Sequence, residues 1–579
     1  MTNLMIKNFF LLIFSLFLIN VLSSKEVYQP VFSYEDNSHP VAGTGGMVVS
    51  QRKMASEVGT SILAKGGNAV DAAVATALAL SVVLPRAGNL GGGGFMLVYL
   101  SELDRTVAID YREKAPSAAS RDLFLDENGN YDSNKARFSL LSAGVPGTVA
   151  GLSYALDKYG TLSWEEVIAP SIKLAEEGFE VTHDIENVLT IYKNRLTLNQ
   201  AAAEAYYKKG LVPYKAGEIL KLPDLAWSLK QLRDFGPQAF YKGKIAKKIV
   251  SEMKKNGGLI TLKDLENYHV SERIPLKSTY KGFEIVSMPP SSSGGVHLIQ
   301  MLNMLEPHSL NKMGFGSSES IHLLVEVMKR AYADRSKFLG DTDFVEVPLL
   351  GLTNKKYAKK LLSKISLSKA TPSQQVLVGD PLPYESPDTT HFSVMDEKGN
   401  AVSNTYTLNF SYGSGIVIPG TGFFINNEMD DFSSKPGQPN AFGLLGEKSN
   451  AIEANKRPLS SMTPTIVFKE GKPYMVLGSP GGSRIITTVL QVTLNVLEHE
   501  MNISEAVIRP RIHHQWFPDI LLVEKGFSKD TLKLLNRKGH KTQDYRSMGS
   551  VQAILKEGNY FYGAADPRRP GAGAVAVRP

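Results

Sequence analysis

Apolar positions dominate from residue 47 to 84. Within that span, 69–84 carries a single acid, Asp71, and stops at Pro85, which predicts a helix buried in the interior of a folded protein. Glycines at 88 and 91–94 lead into an apolar strand over 95–100. A second strand over 106–111 delivers Arg112 at its end. Between about 145 and 275 the spacing becomes helical, most clearly over 164–177 and 246–255. Residues 283–287 read as a strand entering Pro289-Pro290-Ser291-Ser292-Ser293-Gly294-Gly295, a stiff turn followed by flexible glycine. A further amphipathic helix is predicted over 318–338 with Ser318 as its N-cap. Residues 363–387 are polar and lack a period, so they read as an exposed connection. Short β candidates follow at 391–395, 401–406, 416–418 and 465–468, then a helix over 485–497. Strands and helices in mixed order, with no internal repeat, imply an α/β or α+β layered architecture.

The N-terminus adds a destination. Lys7 precedes an apolar run from Phe9 to Leu22 that ends at Ser23, Ser24 and Lys25, the pattern of a secretory signal peptide over 1–24. An uncleaved anchor is the alternative, for which the run is short. The expected location is therefore exported, either periplasmic or secreted. The formal charge is +7, but Lys and Arg are interleaved with acids along the chain. Phosphate-backbone affinity needs clustered cations, so no nucleic-acid partner is expected. The chain has no cysteine, which excludes disulfides, zinc-thiolate sites and cysteine nucleophiles without fixing the compartment. His499-Glu500 lacks the second histidine of a zinc-protease helix, and the neighbours His513-His514 read as packing or surface residues. The glycine run at 88–94 leads into a strand rather than a helix, unlike a dinucleotide fingerprint. Neither a metal nor an organic cofactor is expected.

What remains is Asp388-Thr389-Thr390-His391-Phe392-Ser393, where the polar connection becomes a strand. Alone, two threonines before a strand mean little. They are followed by Thr405-Tyr406-Thr407-Leu408-Asn409, Glu428-Met429-Asp430-Asp431-Phe432, Lys456-Arg457-Pro458-Leu459-Ser460-Ser461-Met462 and Gly478-Ser479-Pro480-Gly481-Gly482-Ser483-Arg484. With Asp110-Tyr111-Arg112-Glu113 and the 289–295 turn, these blocks make the sequence similar to the γ-glutamyltranspeptidase family. The resemblance implies an N-terminal-nucleophile hydrolase fold, a four-layer αββα sandwich built jointly by two autoproteolytic fragments. It implies scission between Asp388 and Thr389, leaving a large subunit (25–388) and a small subunit (389–579) that stay together as a heterodimer.

The residue types suit that chemistry. A threonine hydroxyl needs a base, and a free α-amine, with a pKa of about 7.7–8.0, can serve. Only cleavage before Thr389 creates that amine. By resemblance, Thr407 orients the nucleophile. Arg112, Ser460 and Ser461 take the α-carboxylate of a γ-glutamyl donor, and Asn409, Glu428 and Asp431 take its α-ammonium. Backbone N–H groups at Gly481 and Gly482 suit an oxyanion hole, because no side chain obstructs them. Phe442 stands in a lid-like segment where a tyrosine is usual in the family. The implied activity is transfer of a γ-glutamyl group from glutathione or a related donor to water, an amino acid or a dipeptide. An acylase or poly-γ-glutamate hydrolase of the same fold is an alternative, and an uncleaved binding protein is another.

Overall fold

The computed structural model describes residues 36–379, 390–435, 444 and 448–577. The expected signal peptide, the expected scission point Asp388–Thr389 and Phe442 of the lid-like segment lie outside the described residues.

Fourteen strands form two sheets. In chain order the first seven are β1 (Val41–Gly43), β2 (Gly46–Ser50), β3 (Gly93–Leu100), β4 (Arg105–Tyr111), β5 (Ser271–Arg273), β6 (Leu276–Tyr280) and β7 (Phe283–Ser287). The rest are β8 (Thr390–Asp396), β9 (Ala401–Thr407), β10 (Thr465–Lys469), β11 (Lys472–Gly478), β12 (Gln552–Glu557), β13 (Tyr560–Ala565) and β14 (Gly573–Ala576). One sheet runs β14-β2-β8-β9-β3-β4-β5 and the other β1-β13-β12-β11-β10-β7-β6. Every pairing in both is antiparallel.

Helices α1 (Lys53–Ala64), α2 (Ala69–Val83) and α3 (Thr148–Tyr159) cover the outer face of the first sheet. Helix α4 (Trp164–Glu177) packs on α2. Helices α5 (Gly294–Leu305) and α7 (Ile485–Leu497) lie against the second sheet, and α6 (Ser318–Phe338) packs on α5. The result is the expected αββα sandwich. Side chains alternate between two cores because successive strand residues point to opposite faces. Met47 and Val49 of β2 and Phe95, Leu97 and Tyr99 of β3 meet Val286, Ile466, Val476 and Ile554 between the sheets. Val48, Met96 and Val98 face the helix layer instead. Strands β8 and β9 are buried throughout and were still legible as runs between turn residues, whereas β11 and β12, buried over most of their length, were not among the predicted strands.

Helix α2 is buried along its whole length, and its one acid has a job. Asp71 closes a capping box with Asn68 and accepts from the Thr161 and Leu162 N–H groups at 2.8 and 3.1 Å. Two local expectations are corrected. The N-cap of α6 is Ser317, whose side chain accepts from Ser320 N, while Ser318 opens the helix. Residues 416–418 make no strand, only a single bridge from Val417 to Phe424.

Candidate active site

Strands β8 and β9 lie side by side at the centre of the first sheet, with Thr390 paired to Tyr406. The residue after Thr389 therefore sits opposite the residue before Thr407. Thr407 ends β9, and its Oγ1 accepts from the Asn409 N–H at 2.7 Å. Asn409 takes a positive φ of 73°. The turn directs its Nδ2 to the Asn427 carbonyl at 3.0 Å, which joins it to the acidic turn Glu428–Asp431. The glycine run has its reason here. A Cβ on Gly92 would lie 1.9 Å from the Thr407 carbonyl, and one on Gly93 would lie 2.8 Å from Glu113 Cδ.

Arg112, at the end of β4, is fully buried. It donates from Nη1 to Glu428, from Nη2 to Asp431 at 2.5 Å and from Nε to the Pro458 carbonyl at 3.1 Å. Glu113 Oε2 lies 3.5 Å from the same guanidinium. Among the described residues three of the five N–H donors of this arginine are hydrogen-bonded, and Glu113 faces Nη1. Three carboxylates thus surround one cation. Burial pushes Glu113 up to about 7 despite the neighbouring Arg112. Burial, with Glu428 and Asp430 nearby, holds Asp431 well above the usual carboxylate range. Burial opposes the Arg112 charge, yet Glu428, Asp431 and Glu113 together keep its pKa above the ordinary value. Among the described residues, the buried acceptors Asp431 Oδ1 and Asn409 Oδ1 have no partner. Such groups are costly to leave unmet, so a ligand that donates hydrogen bonds would be favoured here.

The opposite chemistry lies next to it. Two residues past Pro458, Ser460 Oγ accepts from Met462 N at 3.1 Å and Ser461 Oγ accepts from Arg335. Both hydroxyls are used as acceptors, and among the described residues neither proton has a destination. Gly481 and Gly482, at φ 143° and 63°, follow β11, and among the described residues neither N–H has an acceptor. They are tied to the start of β8 through Gly478, where a Cβ would meet the His391 ring at 2.5 Å. His391 is held by Thr405 Oγ1 at 2.9 Å and Ser393 Oγ at 3.0 Å, and burial pushes it down to about 3, so it is neutral.

The pattern of the family described as gamma-glutamyltranspeptidase matches residues 55–576 of this sequence. The chain belongs to this family. Among the relatives of this γ-glutamyltranspeptidase-family chain is the glutathione hydrolase proenzyme of Escherichia coli, 52% identical over 93% of each chain. Helicobacter pylori gamma-glutamyltranspeptidase is 43% identical, with a TM-score of 0.57, over 60% of this chain and 97% of its own. A cephalosporin acylase from Bacillus halodurans has a TM-score of 0.85 at 25% identity, covering 95% of this chain and 99% of its own. The fold is the N-terminal-nucleophile hydrolase sandwich, in a family of proenzymes cleaved into two fragments.

Three residues of this member were missed by sequence reasoning: Glu113, His391 as a packing partner of Gly478, and Arg335. Glu113 stands beside Arg112 in the motif. Arg335 was hidden because α6 is polar enough to read as a surface helix, yet most of it is buried. Among the described residues one trio of ligand-type side chains converges, His322, Glu326 and His540. His322 Nδ1 is 2.8 Å from His540 Nε2, and Glu326 accepts from Arg330 at 2.8 Å and Thr371 N at 2.9 Å, so these atoms already have protein partners. His513 and His514 are buried packing residues, bonded to Thr487 and Asp519. No helix among the described residues is long and apolar enough to cross a membrane.

Proposed function

We propose that this protein is an exported, self-cleaving γ-glutamyltransferase that hydrolyses glutathione, with Thr389 as nucleophile. The observation that carries the reading is the two-signed pocket. Among the described residues Asn409 Oδ1 and Asp431 Oδ1 lack a partner, and Arg112 links Asp431 to the carbonyl of Pro458, two residues before the Ser460–Ser461 pair with its unspent hydroxyl protons. That is the complement of an α-amino acid head, ammonium on one side and carboxylate on the other.

In the precursor, Thr389 Oγ attacks the Asp388 carbonyl; the adduct collapses by breaking the C–N bond, which frees the Thr389 amine and leaves an ester, and water then hydrolyses the ester to the Asp388 carboxyl and the Thr389 hydroxyl. In the mature protein that amine takes the proton from its own Oγ, which attacks the γ-carbonyl of the donor. The N–H groups of Gly481 and Gly482 receive the negative charge on the carbonyl oxygen. The tetrahedral adduct collapses to an ester, and the departing amine takes the proton back. Water or an amino-acid acceptor then loses a proton to the same amine and releases the γ-glutamyl group. Thr407 orients the hydroxyl, and neither metal nor cofactor takes part. Arg112 holds the donor carboxylate while staying paired to Glu428 and Asp431.

A glutaryl donor, the acylase alternative, lacks the ammonium and would leave the buried acceptors unmet, which favours γ-glutamyl compounds. The test compares γ-glutamyl and glutaryl 4-nitroanilides. The γ-glutamyl donor should be preferred by about a thousandfold in kcat/KM, and equal rates would reject the pocket assignment. N-terminal sequencing of the smaller fragment should begin at Thr389; any other start removes the nucleophile.

A further inference from the structure

Helix α6 carries two buried residues one turn apart that reach the loops on both sides of the pocket. Tyr332 OH donates to the Ser483 carbonyl, beside Gly481 and Gly482. Arg335, 1% exposed, donates from Nη2 to Ser461 Oγ and from Nε to Ser293 Oγ at 3.2 Å. Its guanidinium lies 5.4 Å from the Tyr332 ring centre. Ser293 passes the link on: its Oγ and N–H both donate to the Ser460 carbonyl, at 2.8 and 2.7 Å.

A guanidinium has donors and no acceptor. Ser461 Oγ is therefore committed as an acceptor, and its single proton must point elsewhere. A hydroxyl that accepts from a cation is also polarised into a stronger donor. Through Ser293 the same arginine fixes the backbone of Ser460. Arg112 is shared among Glu113, Glu428 and Asp431, which offset its charge; Arg335 adds a second cation behind the seryl pair. The geometry points to Arg335 as a positioning residue that sets selectivity for donors bearing an α-carboxylate, acting through Ser461 and Ser460 without touching the substrate. This rests on the reading of Ser460 and Ser461 as carboxylate donors.

The test uses the mature enzyme and two donors, γ-glutamyl-4-nitroanilide and 4-aminobutyryl-4-nitroanilide, which keeps an amine and lacks the α-carboxylate. The wild type should prefer the first. Arg335→Met should lose about tenfold or more in kcat/KM on the γ-glutamyl donor, mainly through KM, with little change on the other. Arg335→Lys should fall between, because one ammonium cannot reproduce the fork to Ser293 and Ser461. Parallel losses on both donors, or none on the first, would overturn the proposal. Should Arg335→Met fail to mature, Arg335→Lys and Ser293→Ala carry the same comparison, and parallel losses there overturn it equally. A wild type indifferent to the carboxylate would instead sink the underlying seryl-pair reading, and this inference with it.

Discussion

Arg112 shows how a side chain with an assigned partner can arrive with others. Its position at a strand end was legible in the sequence; its pairing with Glu428 and Asp431 was not, since those acids lie more than three hundred residues away. Removing one partner of such a buried pair leaves the other charge unmet. Asp431→Asn should therefore lower kcat/KM for γ-glutamyl donors by about a hundredfold or more and also lower Tm. Activity and Tm both unchanged would remove Asp431 from the pocket. Glu113 gives a pH signature. With its carboxyl raised to about 7, the folded protein holds a proton across a window where the unfolded chain has released it. Stability must then fall as pH rises from the ordinary carboxylate range through about 7. Asp334, raised by burial to about 6, acts in the same direction. Glu113→Gln should accordingly show a shallower fall of Tm between about pH 5 and about pH 8 than the wild type. Equal slopes would mean that Glu113 ionises normally.

At the scale of elements, the site depends on how closely backbone segments approach. The glycines at 91–94 looked like a failed nucleotide loop in the sequence. In the fold they let β3 and its lead-in lie against β9, with Gly93 paired to Thr407. Gly478 plays the same part where β11 passes β8. Its φ is unremarkable, and the constraint is space: a Cβ would meet three atoms of the buried His391 ring at 2.5 to 3.0 Å. Gly478→Ala should push His391, two residues past Thr389, and so slow self-cleavage and lower kcat more than it raises KM. A denaturing-gel time course measures the first effect. Cleavage at the wild-type rate would show that the ring moves aside freely. Gly482, at φ 63°, is constrained in the other sense, by backbone conformation.

At the scale of the whole molecule, the proposed scission divides the sheets in an interleaved way. In the first sheet β8 and β9, after residue 389, lie between β2 and β3, which come before it. In the second, β10 to β13 lie between β7 and β1. The cut pieces cannot part without breaking ladders on both sides of each insertion. The two fragments should co-elute in native gel filtration and separate only in denaturant. Fragments that exchange freely under native conditions would contradict this pairing.

The sequence by itself determined helices α2, α4, α6 and α7 and strands β3, β4, β7, β8, β9 and β10, because apolar spacing and runs bounded by turn residues report what is buried. The ordered motifs determined the family, because each combines residue types that one reaction needs. The tertiary structure alone decided strands β11 and β12, whose short apolar runs carry no alternation to read. It alone decided the sharing of Arg112, the role of Arg335 and the spacing that demands Gly478. Each of these is a contact between segments far apart in the chain, and local sequence holds no record of what will lie across from it.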